Sequence, residues 1–243
     1  MERGLGMSKM KVLELFAGTR SIGRSFEERG HEVYSIDYDE IHNDIDWYVD
    51  LEFVTADDIL ERFGKPDIIW ASPDCTTYSI AAISHHRRKT NDDRVPISEY
   101  AMKSDRVNKN VLKLIEELKP KYFFIENPRG AMRKMKFMQG LKRYTVTYCQ
   151  YGDVRMKPTD IWTNHPNPMF RDMCKNGMDC HVSAPRGSKT GTQGIKSVID
   201  RSRIPKELCD DIVLMSEDKE IKLKSYKHVS EKEKNYEIQR CRL

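Results

Sequence analysis

The chain has 243 residues, with 42 Lys+Arg against 38 Asp+Glu for a formal charge of +4, and 38% of its residues are hydrophobic. This is enough to build one large domain, or one domain with a small insert, and it excludes a disordered or fibrous chain. Residues 1–60 carry 6 basic and 14 acidic side chains, a balance of −8 that leaves +12 on residues 61–243, so an anionic partner is expected to meet the later part.

No segment approaches the roughly 20 consecutive apolar residues that cross a bilayer, and the start MERGLGMSKM lacks the apolar run of a secretory signal. A cytoplasmic protein without a membrane partner is expected. Six cysteines are too few for a disulfide scaffold at this length, so each is read as core, metal ligand or reactive thiol.

From Lys11 onward short apolar runs (KVLELF, EVYSI, DIIWA, KYFFIE, YTVTYC, DIWT) alternate with amphipathic stretches, the rhythm of an α/β domain. The runs are brief, β-branched and aromatic without strict alternation, which suits a mostly parallel sheet covered by helices on both faces. The first run passes through LELFAGTRSIGRSF, a strand, a turn at Phe16, Ala17, Gly18 and Thr19, and a helix. Gly18 permits close backbone approach and the helix start offers free N–H groups, which suits a nucleotide-like ligand. Asp37 ends the next strand 19 residues past Gly18, close to the roughly 20-residue spacing at which an acid reaches ribose hydroxyls in doubly wound folds. Asp50 follows a third apolar stretch and is placed for an adenine amino group. The alternative is a plain βα turn with surface acids.

Farther on, WASPDCTTYS puts Pro73 and Cys75 at the carboxyl end of strand DIIWA, where the crevice of an open α/β sheet forms. Cys75 is placed for nucleophilic work or is a small buried apolar residue. The polar segment ISHHRRKTNDDRVP follows, with His85, His86, Arg87, Arg88 and Lys89 in a row, read as a phosphate-contacting loop or a solvated one. Val107, Val111, Leu114, Ile115 and Leu118 then share one helical face, with Ser98 as N-cap and Pro120 as the stop. In FFIENPRG, Glu126 emerges beside an apolar wall, which favours a protonated carboxyl that donates a proton. Otherwise it pairs with Arg129 or Arg133.

After Asn164 the chain becomes rich in Gly, Pro, Ser and Asn, which predicts an irregular insert over 165–204. Arg186, Lys189, Lys196, Arg201, Arg203 and Lys206 oppose the single acid Asp200 over residues 186–206, a balance suited to backbone contact with a polyanion. Cys174, Cys180 and His181, with His165 as a further candidate, are a weak zinc set in a segment too poor in apolar residues to fold by packing. Cys149 and Cys209 read as core and Cys241 as exposed. A helix over 205–215 opens on Pro205, and the tail from Ser216 reads as a solvated helix or a frayed end. The expected division is therefore 11–164 as the cofactor-binding catalytic domain, 165–204 as the insert, and 205–243 as a returning helix with a charged tail.

Taken together, the order of these segments resembles the cytosine C5 methyltransferase family. LFAG matches its cofactor turn, SPDC its Pro-Pro-Cys or Phe-Pro-Cys nucleophile motif, and ENP its Glu-Asn-Val. YCQYGDVRMKPTDIWTN sits where the family has Tyr-Gly-x-Pro-Gln-x-Arg, with Gln150, Tyr151, Gly152 and Arg155 as counterparts. The resemblance covers about residues 11–165 and more weakly 204–215. It implies the class I S-adenosylmethionine-dependent fold, with Phe16, Ala17, Gly18, Thr19, Asp37, Asp50 and Pro73 toward S-adenosyl-L-methionine. It also implies Cys75 as nucleophile, Glu126 as the acid at cytosine N3, and Arg155 holding the carboxyl or the base. Ser79, Arg87, Arg88 and Asn127 fall toward the substrate, expected to be double-stranded DNA, and the insert takes the place of a target-recognition region. A monomeric enzyme of a bacterial or phage modification system is the implied setting.

The chain departs from the family pattern at three places. Asp74 replaces the proline before the nucleophile, and a carboxylate there opposes thiolate formation unless it points away or is neutralised. Arg20 and Ser21 stand where the family often has glycines, and Pro128 replaces a valine. Three other readings remain open: the same chemistry on RNA or a free nucleotide, a non-catalytic cofactor or nucleic-acid binder, and amino-group methylation, which would not need Cys75.

Overall fold

The computed structural model describes residues 8–90, 94–175, 177–182 and 197–221. The expectations for Arg186, Lys189, Lys196, Cys241 and residues 222–243 lie outside the described residues. In chain order the elements are β1 (Lys11–Leu15), α1 (Ser21–Glu27), β2 (Glu32–Asp37), β3 (Trp47–Tyr48), α2 (Ala56–Arg62), β4 (Ile68–Ala71), α3 (Ile83–His86), β5 (Arg87–Lys89), β6 (Arg94–Pro96), α4 (Glu99–Leu118), β7 (Tyr122–Pro128), β8 (Arg143–Thr147), β9 (Pro158–Thr163), α5 (Val198–Ser202) and α6 (Lys206–Ser216).

Seven strands form one sheet in the order β3-β2-β1-β4-β7-β9-β8. β9 runs antiparallel to both of its neighbours, and the other pairings are parallel. Period-two alternation splits the strand residues between two cores, as it must when both faces are covered. Leu13, Leu15, Ile69, Ala71 and Ile125 pack with Ile59 of α2 and with Val111, Leu114 and Leu118 of α4. Val12, Ile68, Trp70 and Phe124 pack with Ile22 and Phe26 of α1 and with Leu208, Ile212 and Val213 of α6.

α4 forms where the apolar spacing predicts it. The Ser98 side chain accepts from Ala101 N–H, and Lys119 takes a left-handed φ of 48° just before Pro120 ends the helix. Its face also buries Ser104, Asp105 and Asn108, which the apolar pattern does not reveal. Within residues 83–96, expected as a polar loop, residues 83–89 and 94–96 form α3 and the paired strands β5 and β6. Likewise the insert contains the short helix α5, capped by Ser197, and Pro205 precedes the first helical residue of α6 rather than occupying it.

Glu14 lies on β1 among apolar residues of the α1 side. Its Oε1 accepts from Gly23 N–H at 2.9 Å, while Oε2 has no hydrogen-bond partner among the described residues and stands 3.7 Å from Arg20 Nε. Burial, only partly offset by the Gly23 N–H and the Arg20 charge, pushes its pKa up to about 7. A carboxyl whose pKa rises on folding loses stability as pH climbs from its unfolded value toward its folded one. That loss is on the order of 3 kcal/mol once pH exceeds 7. The thermal stability of the wild type is therefore expected to fall between pH 5 and 8, and Glu14→Gln to remove most of that decline, several degrees in Tm. Parallel Tm-against-pH curves for the two proteins would contradict this.

Candidate active site

Strand register brings three loops to one edge of the sheet. Leu15 pairs with Ile36 and Ala71, and Ala71 pairs with Ile125, so the residues that follow β1, β4 and β7 emerge side by side. After β1 the chain turns through left-handed residues at Phe16 (φ 56°), Gly18 (φ 48°) and Arg20 (φ 53°). For bulky Phe16 this is a costly conformation of the kind that accumulates at ligand sites. Phe16 lines a cavity of about 220 Å³ together with Tyr38, Asp50, Leu51, Pro73 and Val107. Burial raises the Asp50 carboxyl, but its bond to Lys103 and the Glu52 N–H outweigh that and hold it below the usual range.

Of the residues expected to hold a cofactor, Phe16, Asp50 and Pro73 line this cavity, whereas Ala17, Gly18 and Thr19 of the turn and Asp37 at the end of β2 are not among its lining residues. Asp37 Oδ2 accepts from Gly18 N–H at 2.8 Å and its Oδ1 accepts from Asp39 N–H at 2.9 Å. The carboxylate thus fixes the turn that it was expected to face across a ribose. Ala17 N–H donates to the Ile36 carbonyl at 3.0 Å, and the hydroxyls of Thr19 and Ser21 meet at 2.8 Å. Arg20, one of the departures from the family pattern, turns to Glu27, Asp44 and Glu14.

Cys75 is half-buried and caps the one-turn helix Thr76–Tyr78. Burial first, and then the Asp74 charge, pushes its thiol up to about 11, with Lys157 acting the other way. The Asp74 carboxylate is engaged elsewhere. Its Oδ1 accepts from the Thr76 N–H at 3.1 Å and the Thr76 hydroxyl at 2.7 Å, and its Oδ2 accepts from the Tyr100 hydroxyl. The departure from proline thus becomes a cap for the turn, while its charge still works against the thiolate.

Glu126 is buried near the end of β7 and accepts the Tyr148 hydroxyl at 2.9 Å. Burial raises its pKa, and the charge of Lys157 and the Tyr148 bond recover only part of the shift. Lys157 is itself lowered by burial and feels both Glu126 and Cys75. Its ammonium lies 4.6 Å from the centre of the Tyr148 ring and donates to the Arg201 carbonyl at 3.1 Å. Beside them Asn127 donates from Nδ2 to the Pro73 carbonyl at 2.8 Å, tying β7 to the Cys75 loop. Its Oδ1 is a buried acceptor with no hydrogen-bond partner among the described residues. The site therefore holds a thiol, a carboxyl biased toward its protonated form, and a buried cation within electrostatic reach of both.

Residues 10–143, just over half of the chain, match the family described as C-5 cytosine-specific DNA methylase. The chain belongs to that family. A probable DNA (cytosine-5)-methyltransferase of Frog virus 3 (isolate Goorha) is 30% identical over 164 residues, which cover 64% of this chain and 71% of that protein. Among solved structures, the Entamoeba histolytica methyltransferase EhMeth aligns with a TM-score of 0.49 and 17% identity over 69% of this chain and 57% of that one. The Dnmt2 methyltransferase of S. pombe aligns with a TM-score of 0.44 and 14% identity over 64% of this chain and 49% of that one. The chain thus spans about half to three-fifths of the length of those two structures. Its sheet, with the antiparallel β9 between β7 and β8, is the class I methyltransferase fold.

Two expected site residues have other work. The Arg87 guanidinium is buried, bonded to Asp105 at 2.7 Å, to the Thr77 carbonyl at 2.9 Å, and stacked 4.1 Å from the Tyr78 ring centre, so it braces the Cys75 turn and is not presented to phosphate. Arg155 bonds Asp153 and the carbonyls of Asp200 and Arg201, and the cation acting on the Glu126 carboxyl is Lys157. Arg88 is exposed on the hairpin and Ser79 is half-buried where the turn ends. In the basic stretch, Arg203 pairs with Asp200, and Lys206 with Glu28 and Asp210. No helix among the described residues is long and apolar enough to cross a membrane.

Lys157, Tyr148 and Tyr38 escape a reading of the sequence. The signal available for Lys157 is its place two residues after Arg155, and Tyr38 directly follows Asp37. The Cys75 turn is also held by Gly130, where an added Cβ would stand 2.4 Å from the Tyr78 carbonyl oxygen. Because that contact is backbone, Gly130→Ala is expected to shift the Cys75 turn and lower any methyl-transfer turnover about 100-fold. Methyl-transfer assays check this, and turnover within threefold of wild type would show that the turn is not so constrained.

Proposed function

We propose that the protein methylates C5 of cytosine in double-stranded DNA, using S-adenosyl-L-methionine and a covalent Cys75 adduct. The observation that carries the proposal is the meeting of the Cys75 thiol and the protonation-biased Glu126 carboxyl at one sheet edge, with Lys157 acting on both. The cavity beside them fits the cofactor: Phe16, Leu51 and Val107 offer apolar walls, Tyr38 an aromatic face, and Asp50 a carboxylate for a nucleoside's polar groups. When bound there, S-adenosyl-L-methionine supplies an electrophilic methyl group.

Cytosine C5 is too weakly nucleophilic to accept that methyl unaided. The Cys75 thiolate adds to C6 while Glu126 gives its proton to N3, and the ring becomes an enamine whose electron pair is available at C5. After C5 has gained the methyl, loss of the C5 proton to a base expels the Cys75 sulfur from C6. N3 returns its proton to Glu126 and the aromatic ring is restored. Lys157 favours the thiolate electrostatically, and Asn127 positions the two loops through Pro73. Exposed Arg88 and Lys89 on the hairpin are the phosphate contacts of this reading, and a flipped-out base is the form of substrate that can reach a recessed thiol. A monomeric, intracellular enzyme of a bacterial or phage modification system completes the proposal.

The test compares labelled methyl transfer to duplex DNA, single-stranded RNA and free cytidine nucleotides, followed by nucleoside mass spectrometry. Formation of 5-methylcytosine in duplex DNA about 100-fold faster than in the other substrates supports the reading. Preferred transfer to RNA would move the substrate assignment, and N4-methylcytosine would overturn the mechanism.

A further inference from the structure

Away from the active site, three sulfurs and one imidazole nitrogen meet in a buried cluster. The side chains of Cys149, Cys174, Cys180 and His181 are all buried, and their ligand atoms lie within 4.8 Å of one another. Cys174 Sγ is 3.2 Å from Cys180 Sγ and 3.4 Å from His181 Nδ1, and Cys180 Sγ is 3.7 Å from both Cys149 Sγ and His181 Nδ1. These separations far exceed the roughly 2.05 Å of a disulfide. Those at 3.4 and 3.7 Å lie close to the edges of a tetrahedron around one zinc ion, about 3.5–3.8 Å when Zn–S is about 2.3 Å and Zn–N about 2.0–2.1 Å, while the Cys174–Cys180 separation of 3.2 Å is shorter and would open on binding.

We propose that Cys149, Cys174, Cys180 and His181 form a closed structural zinc site that fastens the 164–182 segment to the turn after β8. Four protein ligands leave no position for substrate, which separates a structural site from a catalytic one. The Gln150 amide donates to Cys180 Sγ at 3.3 Å, the kind of outer contact that stabilises a metal-bound thiolate. Backbone clamps bracket the cluster: Cys174 N–H donates to Thr147 Oγ1 at 2.8 Å and Val182 N–H to the Val154 carbonyl at 2.9 Å. Among the described residues only Met156 adds apolar packing to the three cysteines, so this corner of the molecule has little else to hold it. Cys149 comes from the end of β8, where the sequence places a core residue. His165, the other candidate histidine, instead contacts the Met215 carbonyl at 3.1 Å. Cys149 also directly follows Tyr148, the hydrogen-bond donor to Glu126, so the metal anchors one wall of the active site.

The test uses the untagged full-length chain, purified under reducing conditions, with metal content and unfolding as readouts that do not depend on catalysis. Native mass and elemental analysis are expected to find about one zinc per chain. Chelation should lower Tm by on the order of 10 °C, with recovery on adding Zn²⁺. Cobalt substitution should give the visible bands of a tetrahedral thiolate site. His181→Phe and Cys174→Ser are expected to lose the metal, whereas His181→Cys, which keeps four ligands, and Cys75→Ser, remote from the cluster, keep it. If the reduced wild type takes up no zinc, if His181→Phe and Cys174→Ser both retain it, or if the isolated chain contains a Cys174–Cys180 disulfide, the proposal is overturned.

Discussion

Serine at position 75 is expected to abolish methyl transfer, with turnover about 10⁴-fold or more below wild type, while cofactor and DNA still bind. In the proposed reaction the Cys75 thiol, presented by the loop after β4, is the nucleophile, and its environment is demanding. Burial and Asp74 push it up to about 11, so near pH 7 only about one molecule in 10⁴ of the free enzyme carries the thiolate. A serine hydroxyl titrates far higher and leaves too little alkoxide for addition to C6. Methyl-transfer rates together with binding titrations separate loss of chemistry from loss of folding. Activity within tenfold of wild type would favour amino-group methylation, which has no need of a sulfur nucleophile.

The second large effect falls on Glu126. Glu126→Gln is expected to lower kcat/KM by about 10²–10⁴-fold near neutral pH, because the amide can hydrogen-bond N3 but cannot protonate it. The change should also alter the shape of the pH profile. In the proposed reaction the rate requires protonated Glu126 and ionised Cys75 together. Between the raised Glu126 value and the thiol's value of about 11, the thiolate grows tenfold per pH unit while the acid falls tenfold, and the product stays level. With glutamine the falling factor vanishes, so kcat/KM should climb about tenfold per pH unit below the thiol's value of about 11. Profiles of equal slope for the two proteins would remove Glu126 from the proton transfer. The same variant should gain stability relative to wild type as pH rises above the ordinary carboxylate range. A buried carboxyl with a raised pKa loses stability as pH rises past its unfolded value, and the glutamine amide brings no charge to bury.

What could be read from the sequence follows the range of the interactions involved. β1, β4 and β7 are continuous apolar runs, and α4 announces itself by a cap, a stripe and a following proline, all of them local signals. Cys75, Glu126 and the Phe16–Thr19 turn sit at strand ends, so placing the strands placed them too. Lys157 and Tyr148 lie on a different stretch and reach Glu126 only because β9 inserts antiparallel between β7 and β8. Nothing in the local spacing encodes that contact. Arg87 misled for a related reason: in HHRRK it looks like a solvated charge, but α4 carries Asp105 to it across the hairpin. Cys149 likewise reads as core until the chain folds back and sets Cys174, Cys180 and His181 around it.

The central claim is a covalent bond between Cys75 and cytosine C6 in DNA. Its most direct measurement incubates the protein with duplex DNA carrying 5-fluorocytosine and S-adenosyl-L-methionine, followed by denaturing electrophoresis and intact mass, beside a Cys75→Ser control. Fluorine at C5 cannot leave as a proton does, so elimination stops. The prediction is a denaturant-stable protein–DNA adduct whose mass includes one transferred methyl and which is absent with Cys75→Ser. No adduct, in a protein shown to bind both cofactor and DNA, would contradict it.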